Sequence, residues 1–410
     1  MSIEAANTEC LERIQESDAV WIDIHKASDI VPDLRGKKLL HAGPPVVWED
    51  MCGPMRGAII GASIFEGWAK DKDEALSLAE SGQIEFGSAH EHESIGPMAG
   101  VISPSMYVHV VRNQKYNIET YSPIFEGMGK VLRHGAYDET VIERLSWINT
   151  ELADLLKKSV RRAGGIDIKN LIAQAIQMGD EVHNRQRASN LLYLSALYPH
   201  MVHEASPAVV AKTAQFIVDS EQFVLNSIMA SCKAMLMAGN NIEKSTIVTT
   251  IARNGFETGI QVSGLGSEWF KAPAPDIKGV YFPGYSATDG NKDIGDSAIT
   301  ETIGLGSCAM AGAPTVIKVV GGTPRMAIET TLKLYEITAA EHDTFRIPAL
   351  NFRGVPFGFD IRKVVETGVC PVINTGISHK AGGIGQIGAG LTEVPIDCFI
   401  HAVRSFAKKY

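Results

Sequence analysis

The chain has 410 residues, 45% of them hydrophobic and 21% charged, with a formal net charge of −9, a profile of a globular protein with room for two or three domains and a large buried core. Charges of both signs are interspersed and no basic stripe with interleaved aromatics occurs, which argues against nucleic acid as a partner. No run of about 18 uncharged apolar residues is present to span a membrane, and the acidic opening MSIEAANTECLERIQESD lacks the apolar stretch of a secretory signal.

From the N-terminus, the short apolar runs AVWIDI, KLLHAGPP and GAIIGASIF alternate with turns, and DKDEALSLAESG has the acidic start and glycine end of a helix. This mixture fills residues 1–137 and predicts an α/β domain. From 138 the period changes. DETVIERLSWINTELADLLKKSVRRAGG carries apolar residues at helical spacing and stops at Gly164-Gly165. IDIKNLIAQAIQMGDEVHNRQRASNLLYLSALY predicts a second helix capped by Asp167, and a third helical pattern runs from Pro207 to about 240. Residues 138–240 therefore read as an inserted helical domain. Beyond 241, STIVTTIA and GIQVSG read as strands, a glycine- and proline-rich region follows to 324, and RMAIETTLKLYEITAAEH predicts one more helix. The expected fold class is mixed α+β, with a C-terminal domain over 241–410 whose loops are rich in glycine. The six cysteines, Cys10, Cys52, Cys232, Cys308, Cys370 and Cys398, lie far apart without a C-x-x-C pair, so reduced thiols and a cytoplasmic setting are expected.

The segment GSAHEHESIGPMAG concentrates candidate chemistry. If it is extended, His90 and His92 share a face, a common geometry for a divalent metal, but the segment offers no third ligand. Proton transfer by His90 is the stronger expectation, and a polar structural loop is the bland one. Asp180, His183, Asn184 and Arg187 fall at i, i+3, i+4 and i+7 of the second predicted helix, a polar stripe suited to a pocket wall or to solvent, while Glu181 and Arg185 read as a surface pair.

Arg56, Arg253 and Arg353 each stand one or two residues before a glycine, where a guanidinium fork and nearby backbone N–H groups can hold one anion. The same pattern puts Asn254 beside Arg253. GGIGQIGAG contains G-x-G-x-x-G after a strand-like run, but too little chain follows for a dinucleotide-binding unit. An anion-cradling loop using Gly383, Gly385 and Gly388 is the alternative. Asp296 and Ser297 precede an apolar run with Glu301 behind, as at a helix start whose free N–H groups bind an anion. Cys52 adjoins a glycine turn and an arginine, but a small buried residue is its commoner role.

The motifs LHAGPPVVWEDMCGPMRGA, GPMAGVISPSM, GKVLRHGAY, MGDEVHNR, YFPGYS…NKDIGDSAITET and VVETGVCPVINTGISHKAGGIGQIGAG resemble those of the AllG/YlbE/YahG family over nearly the whole chain. The resemblance implies a subunit of oxamate carbamoyltransferase, working with an FdrA-type subunit and a third subunit. The implied reaction joins carbamoyl phosphate and oxamate to give oxalurate and phosphate, or runs in reverse, in purine and allantoin breakdown. His90 and the Gly96-Pro97-Met98 turn match the family pattern; Glu91, His92 and Glu93 are not matched, and no assigned catalytic residue is carried over. Chemistry then gives the working site: Arg56, Arg253 and Arg353 with the 382–390 loop hold the small anions, and Asn184, Asn254 and Ser297 bind substrate. His90 or His183 moves the amide proton, and Asp180, Asp296 or Glu301 orients the amide. Two alternatives stay open: a metal-dependent amidohydrolase acting on a ureido or cyclic amide, with a divalent ion near His90 and His92, and a non-catalytic scaffold subunit. No cofactor is firmly implied, and the glycine-rich surface favours an oligomer.

Overall fold

The computed structural model describes residues 2–410. Helix makes up 46% and strand 22%, the strands falling in five small sheets, so the chain is mixed α+β as its patterning predicts. Among these residues no helix is long and apolar enough to cross a membrane.

The first sheet is antiparallel and centres on the strand Val20–Lys26, which pairs with Tyr107–Asn113 on one side and with the short Ile166–Asp167 on the other. Trp21, buried on this strand, stacks on Tyr193 of the helix Arg187–Met201 at 5.1 Å. A second helix, Leu225–Leu236, is buried on every face. Three strand side chains donate to its carbonyls: Thr120 to Ala230 at 2.7 Å, Ser122 to Asn226 at 2.6 Å and Asn113 to Ala234 at 3.1 Å. The buried polar groups of the strands thus find acceptors on a helix that has no exposed face.

A second sheet pairs Lys38–His41 in parallel with Glu85–Ser88. The crossover between them contains the helices Gly53–Phe65, formed by GAIIGASIF and the residues before it, and Lys72–Glu80, capped by the Asp71 side chain. The predicted helix after 138 forms in two pieces, Glu139–Trp147 and Ala153–Ala163, joined by a π turn, with Asp138 as its cap and Gly164 ending it at φ 75°. The run from Pro207 also divides, into Pro207–Asp219 and Leu225–Leu236.

Two C-terminal expectations are corrected. The helix predicted through ITAAEH ends at Leu334, and Thr338–Ile347 is a strand paired with Arg353–Phe359, a register that buries Phe345 and Ile347. The GGIGQIGAG stretch becomes, from Gln386, the central strand of a three-stranded sheet between Val372–Ser378 and Lys278–Tyr281. A Cβ on Gly388 would meet the Val280 carbonyl oxygen at 2.3 Å, so this glycine serves close strand approach instead of an anion.

The largest core draws on all three stretches of the chain, with Trp21 and Val111, then Leu156, Tyr193 and Met229, then Ile303 and Phe345. At their junction Gly43, at φ 85°, presses on Arg253 and Asn254, leaving 2.5 Å to the backbone where a Cβ would stand.

Candidate functional site

The predicted helix from Asp167 to Tyr198 is interrupted. It ends at Gln177, restarts at Arg187, and the residues between form a buried loop. The cause lies in the acids of MGDEVHNR. Asp180 Oδ2 accepts the N–H and hydroxyl of Ser189 at 2.7 and 3.1 Å, and Glu181 Oε1 accepts the N–H groups of Asn184 and, at 2.5 Å, Arg185. Carboxylates that bind their own backbone compete with the helical ladder. Asp180, His183, Asn184 and Arg187 therefore do not share a helix face, and Glu181 with Arg185 is no surface pair, since Glu181 is fully buried. Arg187 points to solvent near Glu221. The loop holds Val182 at φ 63°, a conformation costly for a β-branched residue.

That loop presents His183. Its Nδ1 donates to Glu301 Oε1 at 2.8 Å. Glu301 is buried and also accepts from Asn374 N at 3.1 Å and Thr300 Oγ1 at 3.0 Å, which fixes the carboxylate and with it the ring. Nε2 is left as the nitrogen open to a substrate. Asn374 Nδ2 also donates to Glu181 Oε2 at 3.0 Å.

His183 and Asn184 line a cavity of about 470 Å³ together with Arg133, His134, Ser297 and Gln386, with the buried Met98 and the exposed Met128, Phe282 and Lys318 also in its wall. Asn184 Nδ2 and Ser297 Oγ are buried there without a hydrogen-bond partner. Arg133 is buried too, with one guanidinium nitrogen donating to Gly127 O at 2.6 Å and its plane 4.1 Å from the Phe125 ring. Burial lowers its pKa to about 10, opposed by Glu126, so it stays cationic at neutral pH. His134 bonds Ser378 Oγ through Nδ1 at 2.7 Å, and burial, reinforced by Arg133, holds it well below the usual histidine range and hence neutral. Met98 stands at φ 50° against Gly295, where a Cβ would meet Met98 N at 2.7 Å. Two strained residues, Val182 and Met98, thus flank one cavity, a pattern common at functional sites.

A larger cavity of about 620 Å³ lies between Lys278, Gly321 and Leu391. Among the described residues none of its lining groups is a buried polar atom without a partner, so it lacks the chemistry of the first.

The other expected site residues lie elsewhere. Arg253 is buried but consumed by Asp293, at 2.8 and 3.1 Å, by Gly295 O at 2.5 Å and by Thr375 Oγ1 at 3.2 Å. Arg56 donates to Trp48 O and Glu49 O, and Arg353 lies on the surface, paired with Glu341 and stacked on Tyr335 at 3.5 Å. None of the three lines the cavity. Asn254 closes a turn, its Oδ1 accepting from Phe256 N and Glu257 N. Gly383 donates to Gly135 O at 2.7 Å, and Gly385 packs near Lys130. Burial pushes the Cys52 thiol up to about 11, which leaves no reactive thiolate.

His90 and His92 do not share an extended face. Ala89–His92 is a 3-10 turn; His92 Nδ1 bonds Ser88 O at 2.9 Å while His90 turns inward to Lys233 and Asp296. Among the described residues no three His, Cys, Asp or Glu side chains are grouped to hold a metal ion. Asp296 is no helix cap. The helix behind it, Ile299–Thr302, has four residues and starts from Ala298, while Asp296 accepts from Gly43 N at 2.6 Å and Gly96 N at 2.8 Å. With so short a helix the expected N-terminal anion site does not form.

Burial raises the pKa of Glu181 to about 7, with Glu301 adding to the shift. The folded carboxyl keeps its proton where the unfolded one has lost it, so its contribution to stability is complete below the ordinary glutamate range and disappears as pH rises through about 7. Unfolding of Glu181→Gln, followed by denaturant titration from pH 4.5 to 8, is expected to lack this loss, which is on the order of 3 kcal/mol. Identical pH slopes in both proteins would assign the dependence to other groups.

Residues 84–297 match the family model described as oxamate carbamoyltransferase subunit AllG. The chain is 43% identical over 411 residues to a protein of Escherichia coli K12 named oxamate carbamoyltransferase subunit AllG, covering 99% of this chain and 98% of that one. It is 46% identical over 409 residues to the uncharacterized protein YahG of the same organism, covering 100% of this chain and 87% of YahG. The crystal structure of a conserved protein of unknown function from Enterococcus faecalis V583 superposes with a TM-score of 0.97 at 45% identity, over 99% of this chain and 98% of that one.

Proposed function

The chain belongs to the AllG family, and from that premise we propose that it is an oxamate carbamoyltransferase subunit whose 470 Å³ cavity is where carbamoyl phosphate and oxamate meet. One observation carries the reading: a buried cation, an oriented imidazole and two unpartnered donors converge in one cavity. Both substrates are anions, so the site needs a fixed positive charge, and Arg133 supplies it.

The amide nitrogen of oxamate attacks the carbamoyl carbon and loses a proton, which His183 Nε2 takes while Glu301 stabilises the resulting imidazolium. The C–O bond to phosphate breaks with its electron pair on the phosphate, whose charge faces Arg133. Asn184 Nδ2 and Ser297 Oγ donate to the carbamoyl oxygen as negative charge gathers on it. The products are oxalurate and phosphate, and the same groups serve the reverse direction. An FdrA-type subunit and a third subunit are the proposed partners, supported by the family's motifs and by the relative's designation as a subunit.

The test is transfer of the carbamoyl group from carbamoyl phosphate to a panel of amides including oxamate, with this chain alone and then with both partner subunits. Turnover of oxamate in the mixture is expected. Absence of turnover with the complex demonstrably assembled would defeat the proposal.

A further inference from the structure

His90 and Asp296 lie behind the cavity wall, and with Lys233 they form a connection that the proposed reaction does not use. Lys233 sits on Leu225–Leu236 and is only 5% exposed. Its ammonium donates to His90 Nδ1 and to His90 O, each at 3.2 Å. A ring nitrogen that accepts from an ammonium has no hydrogen of its own, so the His90 proton stands on Nε2, which faces Asp296 Oδ1 at 3.3 Å, in contact but outside hydrogen-bonding geometry. Asp296 in turn holds the backbone N–H groups of Gly43 and Gly96.

The connection joins the three stretches of the chain, since Lys233 comes from the helices, His90, Gly43 and Gly96 from the N-terminal part and Asp296 from the C-terminal part. Its outputs lie one residue away. Gly96 leads into Pro97 and the strained Met98, and Asp296 into Ser297, all of which line the cavity. Removing either charge would leave the other buried without its opposite charge on the far side of the ring, Asp296 keeping the Gly43 and Gly96 N–H groups and Lys233 keeping His90 O and the more distant Glu93, an arrangement that the wall would relax to ease.

We propose that Lys233, His90 and Asp296 form a positioning bridge that sets the Pro97–Met98 and Ser297 walls of the cavity, with His90 acting as a neutral donor and acceptor and not as a proton-transfer group. The functional consequence rests on the cavity being the substrate site.

Glutamine in place of His90 keeps an acceptor for Lys233 and a donor for Asp296 but cannot transfer a proton near neutral pH; leucine keeps neither. In the assembled enzyme His90→Gln is expected to retain kcat within about threefold with an unchanged pH profile, whereas His90→Leu and Lys233→Met raise KM at least tenfold. Glutamine as damaging as leucine in a protein that still folds, or a shifted kcat pH profile, would overturn the bridge. A second measurement does not depend on the reaction. In the isolated chain, ¹⁵N spectra of the His90 ring between pH 6 and 8 are expected to show hydrogen on Nε2 alone, and hydrogen on Nδ1 would overturn it. If no form of the enzyme transfers carbamoyl groups but the ring spectra are as expected, the cavity assignment fails and the bridge stands.

Discussion

Replacing Arg133 with methionine is expected to lower kcat/KM for carbamoyl phosphate by 10² or more, about 3 kcal/mol, in a protein that still folds. Methionine keeps most of the side chain's length and its packing on Phe125, 4.1 Å from the guanidinium, but removes the buried cation of the cavity wall, whose other cation, Lys318, is exposed. The loss should fall on both substrate binding and the transition state, because charge on the leaving phosphate grows as the C–O bond breaks. Arg353→Met gives the contrast. That guanidinium stacks on Tyr335 and pairs with Glu341 at the surface, so its replacement should change turnover little. Steady-state kinetics on both variants decides the matter: equal losses, or loss only at Arg353, would put the anion elsewhere.

Substitution of His183 by glutamine has the second large effect. Glutamine can still donate to Glu301 yet cannot take the amide proton, so kcat should drop by about 10²–10⁴ while KM changes little. A melting temperature close to that of the unaltered protein would show that the loss is chemical. Full turnover of this variant in the assembled mixture would mean that the reacting atoms are held by another subunit and that this chain serves as a scaffold.

The sequence pattern led to His183, Asn184, Ser297 and Glu301, and the fold brings the first three to the cavity with Glu301 behind the imidazole. The reason expected for His183 and Asn184 was a helical stripe. A broken helix presents them instead, because a period count does not register carboxylates that bind loop N–H groups. Arg133 shows the converse. It stands two residues before Gly135, as Arg253 does before Gly255, so the pattern that singled out three arginines applies equally to Arg133, and also to Arg35 and Arg162. Their folded surroundings separate them: Asp293 consumes the buried Arg253, Glu341 pairs with Arg353 at the surface, and the buried Arg133 lines the cavity. Such partners are distant in sequence, 40 residues for Arg253 and Asp293. Lys233 was hidden for the same reason, since within the apolar SCKAML of its helix nothing local marks a lysine whose partner is 143 residues away. Of the fold, capped helices were the most legible parts, as at Asp71, Asp138 and Asp167. The glycine-rich strand Gln386–Glu393 was the least, because close strand approach and anion binding ask for the same residue.

The most direct test is where the anions bind. Crystals soaked with inorganic phosphate and oxamate are predicted to show the phosphate against the Arg133 guanidinium and the oxamate amide within hydrogen-bonding distance of His183 Nε2. Occupancy confined to the 620 Å³ cavity beside Lys278, or to the surface at Arg353, would contradict the account.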